Sequence, residues 1–273
     1  MKLLGEDFTG GLMRRGYWPS NPTGLWYSLA VAVVLMVLHQ VLQGVFVLIF
    51  MLLFKMTPGV TPSVTKAALV SIFPASLIVA GLAYWLAGLR GGVPAEVLNL
   101  RWPRLSLIGW LLLVIGFMLA MYAAIMAIVL IFHIDVSQYT PGSHGESPKS
   151  GSAGAVKEAM FDISNTPWLF ALVFPSIAIG APLAEELIFR GQLFSALSQT
   201  RLGVAGTTLV TAAMWSLLHV TEPWLSIGLI FVMGLIFGWM MWRFGSLWLT
   251  VACHGIWNGF YALVIFFHLG GAT

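Results

Sequence analysis

Ala184-Glu185-Glu186-Leu187-Ile188-Phe189-Arg190 sets three charged side chains in a row of otherwise apolar residues. The run before it, 163–184, contains no Asp, Glu, Lys or Arg, and the run after Arg201 is charge-free as far as 221. An ionisable group at bilayer depth costs about 2.5–3.5 kcal/mol on insertion scales, so this cluster needs partners, a wet cavity, or both.

Moving outward, the 273 residues are 59% hydrophobic and 8% charged, with a mean hydropathy of +0.92. Soluble domains carry about 25% charged residues, so the composition identifies an all-α polytopic membrane protein, with the lipid bilayer as its surroundings. Further charge-free runs cover 21–54, 67–89, 105–134, 223–242 and 244–273. Most reach the roughly 20 residues that span a hydrocarbon core. The net charge of +3 is small and the basic residues are scattered, which leaves nucleic-acid binding without support. A single cysteine, Cys253, excludes an internal disulfide and a cysteine-rich metal site.

The sequence reads as a single membrane domain, 1–273, integral to the cell membrane. Residues 1–24 form a polar amino-terminal segment, 134–166 a flexible polar loop and 167–268 a catalytic helical core. Within the loop, Val156, Met160 and Ile163 recur at the spacing of a surface amphipathic helix. His39, Gln40 and Gln43 in the first span are expected to face protein, because lipid offers them no hydrogen-bond partner. As one helix, 167–200 would reach about 50 Å, well beyond a core of about 30 Å. The expected break is at Pro182, which splits the stretch into two spans and brings the total to about eight transmembrane helices around an intramembrane cavity. That break is also expected to bring Glu185, His219 and His254 to one depth. The basic residues weigh against it: seven crossings divide them eight to four, eight crossings six to six, Arg190 aside. Arg90, Arg101 and Arg104 with the three at the amino terminus favour a cytoplasmic amino terminus.

Local spacing separates the charges. Glu186 and Arg190 are i,i+4 neighbours and pair, whereas Glu185 points about 100° away. His254 and Asn258 repeat the i,i+4 spacing in His254-Gly255-Ile256-Trp257-Asn258, and His219 closes Trp215-Ser216-Leu217-Leu218-His219 on another helix. A carboxylate, two imidazoles and an amide supply a general base, a second proton carrier and oxyanion donors, enough to hydrolyse an amide with an activated water.

These three motifs, in this order, resemble the CAAX protease and bacteriocin-processing (CPBP) family, whose best-understood branch is the type II CAAX prenyl endopeptidase. Its Glu-Glu-x-x-x-Arg is Glu185 to Arg190, its Phe-x-x-x-His ends at His219, and its His-x-x-x-Asn runs from His254 to Asn258. Trp215 stands where the pattern has phenylalanine, a departure that bears on pocket shape. The resemblance implies an eight-helix intramembrane glutamic protease. Glu185 and His219 would activate water, His254 and Asn258 stabilise the oxyanion, and Glu186 and Arg190 give support. It also implies a site opening toward the cytoplasm and a membrane-associated peptide or protein substrate, prenylated in the eukaryotic branch. No metal or other cofactor is expected. Two histidines and a carboxylate keep a zinc mechanism as the alternative, although His-Glu-x-x-His is absent. A non-catalytic membrane scaffold or regulator of the same fold is the other alternative.

Overall fold

Long charge-free segments become long helices because a chain in lipid must satisfy every backbone N–H and C=O internally. A computed structural model describes residues 17, 20–55, 61–134, 159, 162–163 and 165–270, except the side chains of 61, 62 and 268–270. The membrane helices are α1 (Leu25–Leu53), α2 (Thr61–Ala87), α3 (Leu107–Ile131), α4 (Pro167–Leu197), α5 (Gly203–Leu217), α6 (Trp224–Phe244) and α7 (Leu247–Gly270). Six of them are long and apolar enough to cross a membrane, and α5 is a shorter apolar helix.

Burial is inverted relative to a soluble bundle. Val37, Leu48 and Leu52 on α1 and Leu111, Leu119 and Leu130 on α3 are exposed, while Glu186 and Arg190 have no exposed surface at all. The chain is an integral membrane protein whose outer surface is apolar and whose core holds the charge.

The two ends of the bundle differ in chemistry. At the amino-terminal end, Tyr17 N–H donates to the Trp242 carbonyl (3.2 Å), and the Tyr17 and Ser198 hydroxyls are bonded at 2.9 Å. Burial pushes the Tyr17 phenol up to about 12, so it remains a neutral hydrogen-bonding group there. The Asn21 amide donates to Ser28 and Ser195, and Gln199 donates back to the Asn21 carbonyl. The described part of the polar amino-terminal segment is thus docked over the end of α4. At the opposite end Phe132 packs on Trp224, Phe54 on Trp168, and Lys66 pairs with Asp162 at 2.6 Å. Of the expected loop amphipathic helix, Val156 and Met160 lie outside the described residues, as does most of the loop, whereas Ile163 is buried against Val70, Leu169 and Val173.

The expected break at Pro182 does not occur. α4 runs from Pro167 to Leu197, 31 residues or about 46 Å at 1.5 Å per residue, with right-handed helical dihedrals on both sides of the proline. The length limit that motivated the break applies to a helix facing lipid. Every residue from Glu186 to Ser198 is buried in protein, so this end of α4 is free to outrun the hydrocarbon core. The proline is absorbed by a π-helical turn, Ser176–Gly180, immediately before it, and a second π segment, Leu187–Leu193, follows the glutamates. Such bulges are the usual way a helix accommodates a lost i→i−4 bond without a turn.

No break is needed for shared depth either. Glu185 and Trp215 lie fifteen residues either side of Thr200, so the antiparallel α4–α5 hairpin brings them level. Seven membrane helices among the described residues restore the eight-to-four division of basic residues. They also set the amino-terminal segment and His219 at opposite ends of the bundle, so the expectations of a cytoplasmic amino terminus and a cytoplasmic site exclude one another.

Pro182 has no N–H to give the carbonyl of Ala178, and α7 approaches at that carbonyl. A Cβ on Gly255 would stand 2.4 Å from the Ala178 oxygen, and one on Gly259 3.2 Å from the Ala178 Cβ. This small-xxx-small stripe lets the two backbones touch, as membrane helix interfaces require, and it fixes the height of His254 and Asn258, each the residue just before one of the glycines. Gly255→Ala should therefore lower stability by about 1–3 kcal/mol. The check is thermal unfolding in detergent beside Gly81→Ala, where the added methyl meets open space and should change little. Equal stability of the two variants contradicts the close-approach account.

Candidate active site

Two adjacent glutamates on one helix cannot share one environment, and the structure separates them. Glu186 has no exposed surface, and its Oε1 accepts from Arg190 Nη1 at 3.0 Å and from His254 Nδ1 at 3.2 Å. Arg190 is equally buried, and its guanidinium lies 4.3 Å over the Trp215 ring and 5.3 Å from that of Phe237. Its Nε and Nη2 are buried without a protein hydrogen-bond partner, so the ring faces supply much of its compensation. Space for Nη2 depends on α6, because a Cβ on Gly234 would come within 3.2 Å of it.

Glu185 is half-buried and belongs to a different set. Its Oε2 accepts a hydrogen bond from the Trp215 indole N–H at 2.6 Å. Four residues further along the chain, His219 Nδ1 meets the Trp215 carbonyl at 3.0 Å. A carbonyl only accepts, so Nδ1 carries the hydrogen and Nε2 is left to take a proton. The Trp215 and His219 rings meet edge-on at 6.0 Å, and Trp215 meets His254 at 5.1 Å.

On α7 the same logic fixes His254. Its Nδ1 faces a carboxylate, which also only accepts, so the Nε2 edge remains for the site. His254 is 3% exposed, held between Trp215 and Phe237. One turn on, the Asn258 amide makes a long 3.4 Å bond to the Ile177 carbonyl in the first π segment of α4.

The structure thus gathers Glu185, Glu186, Arg190, His219 and His254 around one tryptophan and leaves Asn258 beside them. Toward the amino-terminal end the site is floored by the buried end of α4, whereas Ala178, Ala181, His219 and Asn258 are half-buried on the other side. Among the described residues, no three His, Cys, Asp or Glu side chains form a metal-binding group. A groove of about 560 Å³ between α5 and α6, lined by Gly203, Thr208, Gly238, Trp239 and Trp242, includes none of these residues.

Two residues were given no role at the site by the sequence reading. Trp215 was visible only as an aromatic in the second motif, although its N–H is a donor that phenylalanine lacks. His39 has no motif. As expected it faces protein, bonded to Ser76 on α2 at 3.0 Å and to Gln43 on its own helix, whereas Gln40, expected to do the same, is exposed. The signal for His39 was the pairing of polar residues four apart on an otherwise apolar span.

Comparison with curated proteins and with solved structures gives no match. Residues 167–260 match the family model described as Type II CAAX prenyl endopeptidase Rce1-like. The matched segment is about a third of the chain, contains all three motifs, and supports assignment to the CAAX protease (CPBP) family.

Proposed function

We propose that this protein is an intramembrane endopeptidase of glutamic type. The family match supports a CAAX-type intramembrane protease in general. In the finer reading, Glu185 and His219 together take the proton of the attacking water, and His254 and Asn258 stabilise the oxyanion. Glu186 and Arg190 hold the helix and orient His254. The observation that carries this is the division of the glutamates. Glu186 is committed to Arg190 and His254, whereas Glu185 gives one oxygen to Trp215 and keeps Oε1 for water. His219 keeps Nε2 for the same task. A proton on Nε2 would make His254 a donor there, the polarity an oxyanion needs. The metal-free form is favoured over zinc because His-Glu-x-x-His is absent and Pro223, directly after Glu222, spoils a helical ligand pair with His219.

The substrate class is a peptide or protein held at the membrane, with a prenylated carboxyl-terminal peptide as the first candidate. Cleavage of a fluorogenic prenylated peptide by detergent-purified protein should be abolished in Glu185→Ala, His219→Ala and His254→Ala and unchanged by a chelator. Turnover in the Glu185 variant would sink the mechanism, and inhibition by the chelator would favour zinc. The two glutamates should also differ in stability. Glu185→Ala accumulates normally, whereas Glu186→Ala strands a buried guanidinium and loses about 3–5 kcal/mol.

We further propose that the half-buried side of the site faces the cytoplasm, the side from which a CAAX-type substrate arrives. This turns the amino-terminal end outward, against the eight-to-four division of basic residues. In a Cys253→Ser background, Val220→Cys should react with a membrane-impermeant maleimide only after cells are permeabilised. Labelling of intact cells would reverse the orientation.

A further inference from the structure

Trp215 touches four of the five ionisable groups gathered at the site, all but Glu186. Its indole N–H donates to Glu185, its carbonyl receives His219 Nδ1, its face carries the Arg190 guanidinium, and its ring meets His254. It is 2% exposed and packs against Phe237 with rings 31° apart at 6.0 Å. A tryptophan has only two side-chain torsions, and here both are held by buried packing. Glu185, by contrast, is half-buried on a longer and more flexible side chain.

From this we infer that Trp215 is a positioning residue: it locks the Glu185 carboxylate and the His219 imidazole into the one arrangement in which both face the same water. The inference rests on the reading of Glu185 and His219 as the water-activating pair. Two independent contacts of one rigid residue fix the two groups. The side-chain donor selects a single Glu185 rotamer and leaves Oε1 free. The backbone acceptor selects the His219 tautomer with Nε2 free. A hydrogen bond to a charged acceptor, once lost, frees the carboxylate to populate other rotamers, and near-attack geometry falls by about tenfold or more. Phenylalanine at this position keeps the ring over Arg190 and the carbonyl for His219 but has no hydrogen to give Glu185.

The test is Trp215→Phe. Its kcat on the fluorogenic prenylated peptide should fall about tenfold while KM stays within about twofold, a split that lost packing alone would not produce. Glu185→Asp shortens the carboxylate and leaves the tryptophan packing intact, so it supplies a second route to the same broken contact. Indole ¹⁵N–¹H spectra read the bond without substrate. Of the signals from the 12 tryptophans, the one absent in Trp215→Phe should move in Glu185→Ala and Glu185→Asp and stay in Glu222→Ala. If Trp215→Phe does not fold, one indole signal that moves in both Glu185 variants and not in Glu222→Ala serves in its place. An indole signal indifferent to Glu185, or a Trp215→Phe enzyme with wild-type kcat, overturns the proposal. If the indole shift appears while Glu185→Ala still cleaves, the contact stands and the reading of Glu185 as base fails instead.

Discussion

A guanidinium and a carboxylate with no exposed surface, at the centre of a bundle whose outer surface is apolar, are the constraint that organises this protein. Removing two charges from water costs several kcal/mol per ion even after relaxation, and attraction between them offsets that only with good geometry and additional partners. The additional partners come from other helices: His254 from α7, the Trp215 ring from α5 and the Phe237 ring from α6. The Arg190–Glu186 pair therefore determines which helices meet and at what height, and the glutamate next to it is released from structural duty.

Close helix contact is the second requirement, because lipid tails are as apolar as leucine and exert no hydrophobic pressure between helices. Glycine meets it at several interfaces, two of which frame the site. Gly255 and Gly259 bring α7 onto the π-helical turn of α4, and Gly234 and Gly238 bring α6 onto Ala212 and Thr208 of α5. The π turns belong to the same solution. They take up the missing N–H of Pro182 without turning the chain and carry Arg190 within the second of them.

Much of this was legible in the sequence. Charge-free runs located the helices, and the i,i+4 spacing paired Glu186 with Arg190 and set Glu185 apart. The fate of Pro182 was not legible, because a proline that breaks a lipid-facing helix and one that bulges a protein-covered helix look alike until the neighbours are known. The level placement of Glu185 and the second motif needed only the hairpin about Thr200, which counting residues from the turn would have given. The bond from Trp215 to Glu185 was hidden for another reason: sequence patterns class tryptophan with phenylalanine as bulk, and the difference here is one hydrogen.

The space around Arg190 has an evolutionary corollary. A Cβ on Gly234 would sit 2.7 Å from the Ala212 Cβ as well as 3.2 Å from Arg190 Nη2. Neither 212 nor 234 carries a functional group, yet both are as much a part of the charged core as the arginine whose room they define. Among homologues, bulk at 212 and 234 is expected to covary with the residue at 190. Chains that have lost the arginine should be the ones that tolerate larger side chains there. A signature for this core would then include two positions whose shared property is smallness.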